Sequence, residues 1–362
     1  MSNAVVQLLL DAAVAAAVTL ALTPVVRAAG LRLGIVAHPG GRHVHRGVIP
    51  RIGGVAMFFG IVAGVLLQLA GERFFGWHRV LAASPRQVLA IAAGAVVMFV
   101  VGVVDDVIEM NPGAKFLGQI VAALVVALGG LRIGYVGNPF AGGVIVLGAL
   151  SVPLTVLWIV SFANVINLID GLDGLAAGVS AIAGLSLFAL AVQGNTLVAA
   201  LLAGALVGAC VGFLRYNFHP ASVFMGDSGA LTLGYMLACI SLLGVMKSLA
   251  AIALVVPIVI VGVPVFDTFS AIVRRKISGK PIQAADKGHI HHRLLHRGFS
   301  HTQTVLIIYV WSAALAIGGY AVRWAPPQYR FVTLIVLAAL SGSMARWLGL
   351  FEVVQHDDEV ER

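Results

Sequence analysis

Charge is scarce in this sequence. Only 10% of its 362 residues are Asp, Glu, Lys or Arg, while 60% are hydrophobic. A soluble domain carries about 25% charged residues, so this chain could not cover its surface in water. Cysteine is nearly absent: Cys210 and Cys239 both sit in apolar runs, which excludes a disulfide framework and a cysteine metal cluster. There is no P-loop, no GxGxxG opening a helix after a strand and no zinc-protease helix. Nor is there an internal repeat, which weighs against an inverted-repeat transporter. What remains is hydrophobicity, with a mean hydropathy of +1.01, and a bilayer is its natural solvent. The net charge of +8 reads as basic loops facing the cytoplasm and anionic lipid, not as a nucleic-acid footprint. The first apolar run, Val5–Val26, lacks a cationic leader and a small-residue cleavage site. It reads as a retained span, not a signal peptide.

Hydropathy predicts an all-α polytopic membrane protein with eleven spans: 4–26, 52–71, 87–104, 116–131, 144–163, 174–193, 196–213, 229–246, 250–272, 304–322 and 331–349. Residues 1–349 form one transmembrane domain, and 350–362 form an acidic tail. A Gly-rich stretch between the fourth and fifth spans, Arg132–Gly143, is a candidate small hairpin. Alternation sorts the loops into two sets. One set (27–51, 105–115, 170–174, 215–228, 274–303 and the tail) holds most of the 23 Lys and Arg residues. By the positive-inside bias it is cytoplasmic, with the N-terminus outside and the C-terminus inside.

The acids follow the same sorting, although that bias says little about acids. Outside the tail, Asp105, Asp106, Glu109, Asp170, Asp173, Asp227 and Asp286 fall in or beside cytoplasmic loops. Asp267 lies within a span, and only Asp11 and Glu72 lie toward the other side. Asp11 reads as a residue near the outer interface.

Five constellations carry chemistry. Gly102–Asp106, GVVDD with Lys115 beyond it, closes a span with two adjacent carboxylates, which repel unless a cation or proton offsets them; a solvated helix end is the plainer reading. Asn164–Gly174, NVINLIDGLDG, sets two amides and two carboxylates within eleven residues; Asx caps at a helix break would explain only one of each. Arg215–Gly229, RYNFHPASVFMGDSG, offers Asn217, His219, Phe224, Asp227 and Ser228, with a cap for the eighth span as the competing account of Asp227. Asp286–His301, DKGHIHHRLLHRGFSH, holds five histidines and three cationic residues. It suits an anion such as a diphosphate; zinc lacks its usual cysteine spacing here, and a basic juxtamembrane patch is the bland alternative. Arg42–Gly54, RHVHRGVIPRIGG, puts His45 and Arg46 forward for a lipid phosphate, against simple topology charge. Asp267, in PVFDT, is open between a functional role and a bond to a neighbouring helix, and Pro264 is expected to kink its span.

Paired carboxylates at a membrane edge suit a hard cation. Mg²⁺ prefers a few carboxylates plus substrate phosphates, and Asp105, Asp106, Asp170, Asp173 and Asp227 are the available ligands. Phosphoryl transfer needs mainly positioning and charge stabilisation. A transporter of anionic lipid is the rival class, but it would spread ionisable groups through the midplane.

GVVDD, NVINLIDGLDGLAAG, NFHPASVFMGDSG, PVFDT and DKGHIHHRL, in this order, resemble the polyprenyl-phosphate N-acetylhexosamine-1-phosphate transferases, glycosyltransferase family 4. The resemblance runs from PRIGG to the His loop. It implies a bacterial inner-membrane enzyme with a cytoplasmic site, formed by loops 105–115, 164–174, 215–229 and 274–303. It implies transfer of a sugar phosphate from a UDP-N-acetylhexosamine to polyprenyl phosphate, releasing UMP, with Mg²⁺ (Mn²⁺ as a substitute) and no nucleic-acid partner; a homodimer is compatible with it. Asp227 would be a metal ligand, with Asp106 beside it. Asp105 and Asp106 would act on the lipid phosphate. Asn167, Asp170, Asp173, Asn217 and Phe224 would line the uridine side, and Lys115, His289, His291, His292 and Arg293 would hold phosphates. HIHHRL and PRIGG look like the GlcNAc branch rather than the MurNAc-pentapeptide branch, making UDP-GlcNAc the expected donor.

Overall fold

The computed structural model describes residues 2–37, 48–137, 143–245, 254–279 and 288–352. His45, Arg46, Asp286 and most of the acidic tail lie outside the described residues. In chain order the elements are α1 (Ser2–Leu33), β1 (Val36–Ala37), β2 (Ile49–Pro50), α2 (Gly54–Phe74), α3 (Pro85–Ile108), α4 (Pro112–Leu128), β3 (Tyr135–Gly137), β4 (Val144–Val146), α5 (Ser151–Ile169), α6 (Leu175–Gln193), α7 (Leu197–Asn217), α8 (Gly226–Val245), α9 (Val255–Ile260), α10 (Gly262–Ile277), α11 (Ile290–His296), α12 (His301–Trp324) and α13 (Pro327–Leu348).

Among the described residues, nine helices are long and apolar enough to cross a membrane, and α4 is a shorter apolar helix. The all-α membrane class is therefore as expected, while the expected eleven full spans are not all found. The ninth breaks into α9 and α10, and the break falls at Val261 rather than at Pro264. Pro264 lies in the first turn of α10, where a missing N–H costs little.

The core is α8. Its residues from Ala230 to Leu243 are buried almost without exception, and α2, α3, α5, α6 and α7 pack around it. A helix hydrophobic all round belongs in such a position. Large apolar side chains such as Leu66, Leu157, Leu185, Val310 and Phe331 face outward, as a lipid-facing belt requires. The hairpin expected near 132–143 exists: β3 and β4 pair antiparallel, Val136 opposite Ile145. It takes the first residues assigned to the fifth span, so α5 starts at Ser151. A second short ribbon pairs β1 with β2, Val36 opposite Pro50.

Hydropathy also misplaced the helix ends. α3 runs through Asp105 and Asp106 to Ile108, and α5 runs through Asn164 and Asn167 to Ile169. Polar groups stay helical there because neighbours satisfy them. Asn164 donates to Gln119 Oε1 (2.6 Å) and Val160 O (2.8 Å), which makes it a structural residue. Asp11, read as a residue near the outer interface, is fully buried within the bundle.

Candidate active site

Four helix ends meet on one side of the bundle: the C-termini of α3 and α5 and the N-termini of α2 and α8. Between them lies a cleft of about 180 Å³, lined by Arg51, Asp105, Asp106, Asp170, Asp173, Asn217, Phe224 and Asp227 among others.

The segment before α8 is laid down by backbone bonding to the segment before α2. Phe224 N–H donates to Pro50 O (2.8 Å), and the N–H groups of Gly53 and Gly54 donate to Phe224 O (2.9 Å) and Met225 O (2.8 Å). Two glycines permit the arrangement. Gly226 has φ +67°, and a Cβ there would lie 2.2 Å from Arg51 O; a Cβ on Gly102 would lie 2.5 Å from Ser228 Cα. With no side chain at either position, α3 can bring its acids directly against the start of α8.

Asp106 uses that proximity. Its Oδ1 accepts Asp227 N–H at 2.7 Å and its Oδ2 accepts Ser228 N–H at 3.0 Å. It is only 4% exposed. A carboxylate from α3 thus caps α8 in trans, satisfying N–H groups that have no partner within their own helix and meeting the positive end of its dipole. This corrects one expectation: the first turn of α8 is capped by Asp106 and not by the side chain of Asp227.

Asp227 is thereby turned to other partners. Its Oδ1 accepts Asn167 Nδ2–H at 2.9 Å, and its Oδ2 meets the Lys115 ammonium in a close ion pair. Lys115 also bonds Asp105 Oδ2 at 3.1 Å, while Asp105 Oδ1 accepts Met110 N–H at 2.8 Å. One cation therefore already bridges Asp105 and Asp227. Two carboxylates arranged to share an ammonium are suited to sharing a divalent ion, and the residues present fit Mg²⁺ with Asp227 and Asp105 as its protein ligands.

Asp170, at the C-terminus of α5, has its pKa raised to about 7. Burial is the largest cause, and the charges of Asp106 and Asp173 add to it. Such a shift at a cleft marks a functional candidate. Asp173 and Asn217 hold loops together. Asp173 Oδ2 accepts from His219 Nδ1 (2.8 Å) and Ala221 N (3.0 Å). Asn217 Oδ1 accepts Gly174 N–H (3.0 Å) and its Nδ2 donates to Val223 O (2.9 Å). The α5–α6 turn is thus tied to the loop before α8. Phe224 keeps a half-buried ring on the cleft wall.

The His loop reaches the site through His291, whose ring lies against Gly171; a Cβ there would be 2.7 Å from His291 Nε2. His291 has its pKa lowered to about 3, chiefly by burial and then by His292. Its ring is thereby held neutral at physiological pH. Asp267, 2% exposed, accepts from His289 Nδ1 (2.8 Å) and Ile290 N (2.8 Å). Its partner is the start of the His loop rather than a helix neighbour. His292 packs on His291, ring centroids 4.3 Å apart. Arg293 is directed elsewhere: it donates to Gly288 O, Leu348 O and Glu352 O. The structure does not bring it to the cleft. Arg51, which the sequence did not single out by itself, lines the cleft and pairs with Glu109 at 2.9 Å. Its signal was its place beside the glycine pair in PRIGG.

Residues 88–245 match the model of glycosyl transferase family 4. Over 91% of its length the chain is 40% identical to a Bacillus subtilis (strain 168) protein named probable undecaprenyl-phosphate N-acetylglucosaminyl 1-phosphate transferase, covering 89% of that protein. The chain belongs to glycosyl transferase family 4. A decaprenyl-phosphate N-acetylglucosaminephosphotransferase of Mycobacterium tuberculosis (strain CDC 1551 / Oshkosh) is likewise 40% identical, over 84% of this chain and 80% of its own. A phospho-N-acetylmuramoyl-pentapeptide-transferase of Desulforudis audaxviator is 35% identical, over 87% and 98%. The part of this family 4 protein that matches the family model carries Asp105, Lys115, Asn167, Asp170, Phe224 and Asp227, that is, the acid cluster and its wall. Arg51 and the His loop lie outside it, yet inside the span shared with the Bacillus relative.

Proposed function

We propose that this cleft transfers GlcNAc-1-phosphate from UDP-GlcNAc to undecaprenyl or another polyprenyl phosphate, releasing UMP, on the cytoplasmic face of the bacterial inner membrane. The observation that carries the reading is the Asp105–Lys115–Asp227 bridge at the end of an apolar bundle. A cation site at a bilayer edge suits one soluble and one lipid phosphate. The names and identities of the relatives favour GlcNAc over MurNAc-pentapeptide.

Each residue then has a task. Asp227 and Asp105 would hold Mg²⁺, or Mn²⁺ in its place. When bound, the ion supplies charge neutralisation for the diphosphate. Lys115 shifts from bridging carboxylates to countering phosphate charge. Asn167 fixes the Asp227 carboxylate through its 2.9 Å bond. Phe224 offers its ring to the uracil, which stacks on aromatic faces. His291 donates to a phosphate oxygen as a neutral imidazole. Asp106, Asp173 and Asn217 set the backbone around these groups. Transfer is a matter of alignment and charge stabilisation more than of covalent chemistry by the protein.

The test is UMP release by purified protein with undecaprenyl phosphate and a panel of UDP-sugars. UDP-GlcNAc is expected to be used and UDP-MurNAc-pentapeptide refused. Asp227→Asn is expected to lower the rate by on the order of a thousandfold, at the upper end for loss of one group that stabilises transition-state charge. Full activity of that variant would remove the cation assignment.

A further inference from the structure

Beyond the acid cluster, three side chains of metal-ligating type converge from three separate segments. Asp173 lies in the turn between α5 and α6, His219 lies between α7 and α8, and His301 is the first residue of α12. One ligand atom from each falls within 4.8 Å of the other two. The imidazoles of His219 and His301 lie face to face, centroids 4.1 Å apart and planes 20° from parallel. His219 also shows a carboxylate–histidine pairing: Nδ1 is 2.8 Å from Asp173 Oδ2. A ring nitrogen and a carboxylate oxygen of the group are thus already side by side.

From this arrangement we infer that Asp173, His219 and His301 form a binding site for a borderline transition-metal ion, of which Zn²⁺ is the type, separate from the Mg²⁺ cluster. Two imidazoles and a carboxylate suit Zn²⁺ and Co²⁺, whereas Mg²⁺ selects oxygen. Ligand atoms about a tetrahedral Zn²⁺ are roughly 3.4 Å apart, from bonds of about 2.0–2.2 Å. Closing from 4.8 Å needs a modest rotation, and His219 has room for it with 41% of its side chain exposed. The sequence directs attention for zinc to the adjacent His loop, but His289 there is engaged by Asp267, and the grouping with ligand spacing lies here instead. Occupancy would immobilise Asp173 on the cleft wall, so the ion would act as an inhibitor.

The experiment uses tag-free full-length protein in detergent with Mg²⁺ in excess to saturate the acid cluster. Zn²⁺ is titrated by equilibrium dialysis, and Co²⁺ by its visible absorption. One Zn²⁺ per chain is expected, with a Co²⁺ spectrum of four-coordinate intensity in the wild type. His219→Ala and His301→Ala are each expected to weaken binding at least tenfold, with Asp227→Asn and His291→Ala leaving it in place. Zn²⁺ inhibition of UMP release is expected to weaken in step in His301→Ala. The proposal is overturned by no stoichiometric Zn²⁺ on the wild type, by binding that survives both histidine substitutions, or by binding lost in His291→Ala. Metal binding is read here without turnover, so its failure and a failure of the transferase reading are distinguishable.

Discussion

Asp106 and Asp11 lie equally deep in the bundle and are handled in opposite ways. Asp106 is 4% exposed and Asp11 fully buried. Both oxygens of Asp106 accept N–H groups from the first turn of α8. Neither oxygen of Asp11 meets a donor among the described residues. Asp11 also lies 22 residues before the end of α1, roughly 33 Å at 1.5 Å per residue, from the end that neighbours the cleft. Depth does not separate these acids; partners do. At the cleft Asp105, Asp106, Asp173 and Asp227 are each set against a cation, an amide or a backbone N–H. Far from it, one acid is left to the surrounding packing. A buried carboxyl is informative about function when the fold has supplied what holds it.

The first way to break this contrast is to remove the partner role of Asp106. In Asp106→Asn the side chain keeps one acceptor and turns an NH₂ toward backbone N–H. Each buried donor left unpaired costs about 1–3 kcal/mol, and the loop carrying Asp227 loses its anchor. UMP release is expected to fall at least 100-fold, on the scale seen when a group that positions charge is lost. The melting temperature should fall too, and excess Mg²⁺ should not restore the rate. Rescue by Mg²⁺ would make Asp106 a metal ligand after all.

Asp267 is the next lever. Loss of a carboxylate that orients a functional histidine typically costs about 10–100-fold. Asp267→Asn is expected to raise KM for UDP-GlcNAc about tenfold with a smaller change in kcat, because the His loop is loosened and not removed. An unchanged KM would reduce the Asp267–His289 bond to a structural tie.

Asp170 gives a pH dependence of definite sign. Its pKa in the fold is about 7 against an ordinary 3.8. Folding therefore favours its neutral form, and its contribution to stability declines as pH rises from about 4 to about 7. A bound divalent cation favours the ionised form. The Mg²⁺ concentration giving half-maximal rate should then fall as pH rises from 6 to 8, levelling above 7. Asp170→Asn should flatten that profile, and a flat profile in the wild type would put Asp170 outside the reach of the cation.

Much of this was legible in the sequence. GVVDD, NVINLID and FMGD were each visible as polar groups too costly for a bilayer without a purpose, and the fold does bring Asp105, Asn167, Asp170, Phe224 and Asp227 to one cleft. Their division of labour was not legible. Asp106 accepts an N–H in the first turn of a helix 121 residues later in the chain, and Asn217 ties a turn 43 residues before it. No local pattern records such pairings. Helix ends were misread for the same reason: hydropathy stops a span at its first acid, whereas α3 continues through two acids because Lys115 and the start of α8 offset them. Arg293 looked like a phosphate ligand by its place in a basic run, but its direction is set by the carbonyls at the end of α13.

Asp11→Asn is the smallest expected effect and the sharpest check on the contrast. The substitution preserves shape and removes only the ability to ionise. An acid whose oxygens meet no donor contributes no hydrogen bond that Asn could lose, and burying an amide is cheaper than burying a charge. UMP release should stay within about twofold of wild type, and stability should be unchanged or higher by up to about 1 kcal/mol, within the usual range for replacing an unpaired buried polar group. Gln68, buried on α2 with its Oε1 also lacking a partner, is the control: Gln68→Leu should cost stability, since its Nε2 donates to Glu72 and to His78 O. A large loss of activity in Asp11→Asn would show that the far end of the bundle takes part in turnover, and the separation between held and unheld acids would no longer mark the boundary of the site.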